Sequence, residues 1–162
     1  MSKPFGIGFG LALAVILVIV WIAYARTKGN HLEPMGKIGK VRTQQVDENE
    51  MFVILDFSLQ NDSDRQMVVR SVESSLEMPD GSSVDGHVVA AKDLDNVFKN
   101  YPMLGEQYNP PLRARDVLRG HERIDRMVGV RFDVPESEFG KRKDLALRIE
   151  DITGPVAELK TR

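Results

Sequence analysis

The chain has no cysteine among its 162 residues. That excludes a disulfide framework, a thiolate-bound zinc or iron–sulfur site, and a cysteine nucleophile. Histidine is almost as scarce. His31, His87 and His121 stand apart, with no H-x-x-x-H or H-E-x-x-H spacing. A metal site or catalytic base built on them would need distant segments to converge. No G-x-S-x-G elbow and no Walker loop occurs. Acidic side chains are missing from one place only. The first 31 residues hold three of the 22 basic residues and none of the 24 acidic ones. The rest of the chain therefore carries 19 basic against 24 acidic residues, which does not describe a polybasic nucleic-acid binder. At 42% hydrophobic the chain is too apolar to be wholly disordered. Beyond residue 31 the chain is long enough for one domain.

The acid-free segment carries the strongest positive signal. After a tail at 1–4, residues 5–25 read FGIGFGLALAVILVIVWIAYA, without a charge. As a helix this stretch is roughly 31 Å long, close to the hydrocarbon thickness of a bilayer. Lys3 precedes it, Arg26 and Lys28 follow it, and Trp21 and Tyr24 lie near its carboxyl end. The expectation is a single-pass membrane helix, retained as an anchor. Ala23-Tyr24-Ala25 also fits an A-x-A cleavage site, although the apolar run is longer than a usual signal-peptide core. The short tail ahead of the span favours a folded domain outside the cytoplasm, in the cell envelope. Lys37, Lys40 and Arg42 tilt the positive-inside balance the other way. Gly6 and Gly10 form a GxxxG pair, a candidate helix-dimerisation face or simply two of the glycines common in membrane helices.

A linker at 26–36 leads into a domain at 37–162. Within 50–60, Val53, Leu55, Phe57 and Leu59 fall on one face while Ile54, Asp56 and Ser58 fall on the other, which predicts a half-buried strand. Asn61-Asp62-Ser63-Asp64 supplies a turn. Residues 66–78 predict a second strand, closed by Pro79-Asp80-Gly81 and expected to pair antiparallel with the first. Residues 90–101 place Leu94, Val97, Phe98 and Tyr101 on one helical face, stopped by Pro102. This helix belongs to an insertion at 88–115. Val128, Val130, Phe132 and Val134 alternate along a later strand, as do Leu145, Leu147 and Ile149, and 156–160 predicts a last short strand. With 37–46 and an extended stretch at 117–127, this makes about seven strands and an immunoglobulin-like, two-sheet antiparallel β-sandwich.

Specific pieces carry a family resemblance: Phe57-Ser58-Leu59-Gln60-Asn61-Asp62-Ser63, Leu76-Glu77-Met78-Pro79-Asp80-Gly81, Arg119-Gly120-His121-Glu122, and Gly129-Val130-Arg131-Phe132-Asp133-Val134-Pro135. Over 50–160 the chain resembles bacterial secreted or membrane-anchored immunoglobulin-like domains, and more distantly the late-embryogenesis-abundant type 2 sandwich. The resemblance implies a sandwich fold and an envelope setting, and it transfers no catalytic residue.

The remaining candidates are surfaces. Phe98, Tyr101, Met103, Leu104, Tyr108 and Leu112 cluster in the insertion. They either cover one end of the core or present an apolar surface to a protein partner. Arg113, Arg115, Arg119, Arg123, Arg126 and Arg131 make a basic stretch, with Lys141-Arg142-Lys143 beyond it. An anionic-lipid or acidic-partner patch is one reading; edge strands with interleaved charge pairs are the other. Asn61, Asp62 and Asp64 suit turn chemistry better than calcium, since the EF-hand spacing is absent. The expectation is a non-catalytic, membrane-tethered domain without cofactor or metal, acting in protein–protein or envelope interaction. The alternative is a small-ligand or lipid-binding sandwich with a cavity between its sheets.

Overall fold

The computed structural model describes residues 13–22 and 34–161. Residues 13–22 form a helix, α1, whose side chains are all exposed. No helix among the described residues is long and apolar enough to cross a membrane. The rest of the expected span, including Gly6 and Gly10, lies outside the described residues, as does His31.

The domain is built on eight strands: β1 (Pro34–Asp47), β2 (Glu50–Asn61), β3 (Met67–Glu77), β4 (Ser83–Val88), β5 (Val117–Leu118), β6 (Arg123–Phe132), β7 (Asp144–Asp151) and β8 (Val156–Lys160). Helix α2 (Leu94–Asn100) and a one-turn α3 (Glu136–Phe139) complete it. The strand ladders are antiparallel and join in the order β1-β2-β6-β4-β3-β7-β8, with β5 on β3. The two expected layers are thus one curled sheet. β4 makes the join, because Ser83–Gly86 pair with β3 while His87 and Val88 pair with β6. At the other seam a Cβ on Gly36 of β1 would lie 2.9 Å from Leu159 of β8, so the two sheet edges meet.

This corrects the expected pairing of 50–60 with 66–78. β2 pairs with β1 and β6, and β3 pairs with β4, β5 and β7. The turn after Asn61 carries the chain from one layer to the other. The physical reason lies on β2, which is buried on both faces. Val53, Leu55, Phe57 and Leu59 point into the curl with Val128, Val130 and Phe132 of β6 and Leu145, Leu147 and Ile149 of β7. Phe52 and Ile54 point outward, and they need a cover of their own. Other differences are local. The first strand begins at Pro34, inside the expected linker. The stretch 83–88 is a strand, although its alternation is weak. The charged connection at 136–144 winds one helical turn that buries Phe139 against Phe132.

The insertion supplies the outer cover. Leu94 and Leu104 are buried against Phe52, Ile54 and Met127, with Val97, Phe98 and Tyr101 packed around them. Tyr101 stacks on Phe52 at 6.4 Å between ring centroids. The helix approaches β6 at Gly129, where a Cβ would lie 2.4 Å from Leu94 Cδ2 and 3.2 Å from Phe52 Cζ. Gly129→Ala is therefore expected to cost ~1–3 kcal/mol through overpacking. Denaturant unfolding measures the loss, and limited proteolysis within 91–112 should accelerate. An unchanged midpoint would mean that Leu94 does not seat on Gly129.

Candidate functional site

The outer face of β1, β2 and β6 is covered at one end and open at the other. Phe52, Ile54 and Met127 lie under the insertion, whereas Ser58 and Gln60 of β2 line open recesses. Cross-strand register sets the neighbours. Ser58 lies between Lys37 and Asp125, and Gln60 between Met35 and Arg123. Lys40 pairs with Asp56. Lys37 and Lys40 are three apart, so plain alternation would send them to opposite faces. A register shift between Ile38 and Lys40 absorbs Gly39 as the extra residue. Such a bulge resets the parity. Both lysines therefore line one open cleft of about 430 Å³, with Asp56, Ser58, Tyr108, Asn109, Arg123 and Asp125 among its walls.

A buried ion pair holds the rim in place. Arg42 and Asp56 are each 8% exposed at the side chain. Arg42 Nε donates to Asp56 Oδ2 at 3.0 Å, and Nη2 lies 2.9 Å from the same oxygen. Arg42 Nη1 donates to the carbonyls of Leu104 and Glu106, both at 2.7 Å. Asn109 Nδ2 donates to the other carboxylate oxygen at 3.0 Å. The guanidinium also lies over two rings, 5.3 Å from the centroid of Phe98 and 5.1 Å from that of Tyr108. One arginine thus bolts the insertion to β1 and β2. The return leg of the insertion is fixed separately, because Leu112 N–H donates to the Met127 carbonyl and Met127 N–H to that of Pro110. Tyr108 is left standing over the cleft with Lys40 Nζ 4.9 Å from its ring centroid.

The charges in the cleft are unequal. Asp56 is engaged by Arg42. Among the described residues, Lys37, Lys40 and Arg123 form no ion pair of the kind seen between Arg70 and Glu150 or Lys143 and Glu77. Asp125 is the remaining carboxylate in the wall. The cleft therefore offers three cations, the Ser58 hydroxyl and an exposed tyrosine to a ligand. That donor set suits carboxylates and other oxyanions.

The six side chains singled out in the insertion divide. Leu104 and Leu112 are buried and Phe98 and Tyr101 are half-buried; Met103 and Tyr108 are exposed. Most of that cluster is cover for β2 and β6. The space between the layers, where a ligand cavity was the alternative, is occupied by the large apolar core. His87 and His121 are exposed and sit beside Asp133 and Asp64. Asn61 is fully buried and organises the turn after β2. The described residues contain no cluster of three or more metal-ligating side chains. Sequence reasoning does not single out Lys37, Lys40 and Arg123 as a site. The available signal is Gly36-Lys37-Ile38-Gly39-Lys40, since glycine within a strand marks a bulge or a close approach.

Two further buried carboxylates are structural. Asp151 accepts the Val68 amide at 2.6 Å and the Thr153 amide at 2.7 Å. Asp144 accepts the Thr161 hydroxyl at 2.6 Å and the Leu145 amide at 2.8 Å. Burial pushes both carboxyls up, but the hydroxyl and amide donors outweigh it and hold them below the ordinary value of 3.8. A depressed folded value contributes stability that is full above the unfolded pKa and is lost as pH falls through the folded one. Asp151→Asn is expected to cost ~1–3 kcal/mol at neutral pH. Its deficit against the parent should shrink below about pH 4, where the parent loses the same charge. Unfolding measured from pH 7 to pH 2 tests this, and a constant deficit would contradict it.

No family model matches the chain, and no curated protein matches it. Among solved structures it is similar to the archaellum periplasmic stator protein FlaG from Sulfolobus acidocaldarius. The two share 9% identity at a TM-score of 0.36, over 80% of this chain and 99% of that one. It is also similar to an uncharacterised β-sandwich protein from Clostridium difficile 630. There the identity is 10% and the TM-score 0.32, over 82% of each chain. Likeness at this level carries nothing about activity or partners. The class defined by the chain's own geometry is a mainly-β protein of one curled antiparallel sheet with a bolted insertion.

Proposed function

We propose that this is a membrane-tethered, non-catalytic β-domain outside the cytoplasm that binds an acidic segment of an envelope protein. The observation that supports it is the cleft, where Lys37, Lys40 and Arg123 form no ion pair among the described residues, Asp125 is the one wall carboxylate not engaged by Arg42, and the rim is fixed by Arg42. A rim that is already ordered loses little entropy on binding. The tether rests on the charge-free run at 5–25, and the immunoglobulin-like and envelope readings remain with the resemblance that suggested them.

The test uses full-length protein in its own membranes with a photo-crosslinking residue at Tyr108, and at Glu158 as control. A discrete adduct from position 108, lost when Lys37→Glu and Lys40→Glu are combined, supports the reading. Adducts identical at both positions, or indifferent to the charge reversal, overturn it. Mass spectrometry of the recovered protein also reports whether residues 1–25 are retained, which separates an anchor from a cleaved signal.

A further inference from the structure

The end of the sheet at which the chain enters differs from the rest of the surface. Pro34 opposes Asn61, and Gln60 opposes Arg123. β3 starts and β7 finishes at this same end, since Val69 opposes Asp151. Three connections therefore gather there: the turn at 62–66, the segment 113–122 and the turn at 152–155. Backbone bonds tie them together. Asn61 N–H donates to Glu122, Arg115 N–H to Val69, and Ile152 N–H to Val68.

Residues 113–126 hold Arg113, Arg115, Arg119, Arg123 and Arg126 against Asp116, Glu122 and Asp125. Of the three acids only Asp116 pairs with an arginine, Arg126, while Glu122 and Asp125 form no ion pair among the described residues. Asp116 Oδ2 accepts the Arg113 amide at 3.0 Å, and Glu122 Oε2 accepts the Arg119 amide at 2.8 Å. Both carboxylates serve the backbone, and Asp116 lies 3.9 Å from Arg126 alone among the guanidiniums. Arg113, Arg115 and Arg119 are exposed and form no ion pair among the described residues. Arg115 is held at φ 71°, a left-handed conformation that costs a non-glycine residue energy. Beside them two apolar side chains face solvent, Ile152 at 56% and Val117 at 50% exposure.

We infer that this end docks on an anionic lipid surface, with Arg113, Arg115 and Arg119 at the headgroups and Ile152 and Val117 at the acyl boundary. The inference rests on the tethered reading. Residues 26–33 reach at most ~28 Å when extended. An apolar segment in the bilayer therefore keeps Pro34, and with it this end, close to the interface. The free guanidiniums orient the contact. Asp62 and Asp64 lie in the neighbouring turn and Asp64 is engaged by His121, whereas Arg113, Arg115 and Arg119 form no ion pair among the described residues and are left to lipid phosphates. Cationic side chains flanking exposed aliphatic tips supply both components of interfacial binding.

The absence of cysteine makes the test direct. Full-length Ile152→Cys carries an environment-sensitive fluorophore and is reconstituted into phosphatidylcholine vesicles with or without phosphatidylglycerol. Val117→Cys serves as a second reporter and Ser83→Cys, at the far end of the sheet, as control. The expected result is a blue shift and quenching by lipid-borne quencher at 152 and 117 only with phosphatidylglycerol, and no change at 83. Arg113→Glu, Arg115→Glu and Arg119→Glu combined should lower the docked fraction about tenfold or more. Protein that floats with both vesicle types while 152 and 117 stay water-like overturns the docking and leaves the tether standing. Protein that floats only with anionic vesicles, in a salt-sensitive way, keeps the docking and overturns the tether. Protein that floats with neither overturns both.

Discussion

Arg42→Met is expected to destabilise the domain by ~3–5 kcal/mol, because it leaves the Asp56 carboxylate buried without its partner. The midpoint of thermal unfolding should fall by roughly 10–15 °C for a domain of this size. The loss has more than one source. Asp56 keeps the Asn109 amide, but one donor does not balance a buried charge. The carbonyls of Leu104 and Glu106 lose their donor, and the Phe98 and Tyr108 rings each lose the cation over them. Methionine matches the stem of arginine in length, so a cavity contributes little. The double variant Arg42→Met with Asp56→Leu separates charge from packing. It should recover at least half of the loss, since a buried pair replaced by apolar groups is often close to neutral. The recovery stays incomplete because Asn109 then has no acceptor. Calorimetry on both variants decides the matter. A double variant no better than the single would mean that the insertion is held by Arg42 through the carbonyls and not through the ion pair. The binding proposed for the cleft should fall in both, because Tyr108 and Asn109 lose the rim that Arg42 fixes.

The ion pair also shows which parts of this protein are legible in its sequence. Alternation in 50–60 reveals a strand, since its inward side chains Val53, Leu55, Phe57 and Leu59 share one parity. That Ile54 is as buried as Leu55 is not visible there. A strand covered on both faces and a strand covered on one face differ by their neighbours, and the neighbour here arrives 40 residues later. Arg42 and Asp56 look like solvent-facing polar positions for the same reason. The helical spacing of Leu94, Val97, Phe98 and Tyr101 is clear, and its apolar stripe is the cover that Phe52 and Ile54 require. Pairing is misjudged where it depends on a turn. Asn61-Asp62-Ser63-Asp64 has hairpin residues but carries the chain between layers. Turn chemistry fixes a reversal of direction and says nothing about which strand receives the ladder. The cleft is hidden by Gly39, because one extra residue in β1 moves Lys37 and Lys40 onto the same face.

Asn61→Asp is the other substitution with a large expected effect, and its pH dependence identifies the cause. Asn61 is fully buried at the end of β2. Its Nδ2 donates to the carbonyls of Arg65 at 2.6 Å and Arg119 at 3.1 Å. Its Oδ1 accepts the Ser63 amide at 3.1 Å and the Ser63 hydroxyl at 2.7 Å. Aspartate has nearly the same shape, so packing is unaltered. It replaces the donor by an oxygen facing two carbonyl oxygens, and the cost at neutral pH is on the order of 3 kcal/mol. Protonation restores one donor. Burial beside carbonyl oxygens raises the folded pKa of the new carboxyl above its unfolded value of about 3.9. A raised folded value makes the deficit small below the unfolded pKa and growing as pH rises, until it levels off above the folded one. Asn61→Ala, which has no titrating group, should show a deficit of ~1–3 kcal/mol without this pH dependence. Denaturant unfolding of both variants between pH 3 and pH 8 distinguishes them. Because Asn61 ties the turn at 62–66 to Arg119, the aspartate variant should also loosen the arginine-bearing end at neutral pH. Hydrogen exchange at residues 62–66 and 118–122 would then rise in that variant while β7 and β8 remain protected. Protection lost evenly over all strands would instead make Asn61 part of the global core.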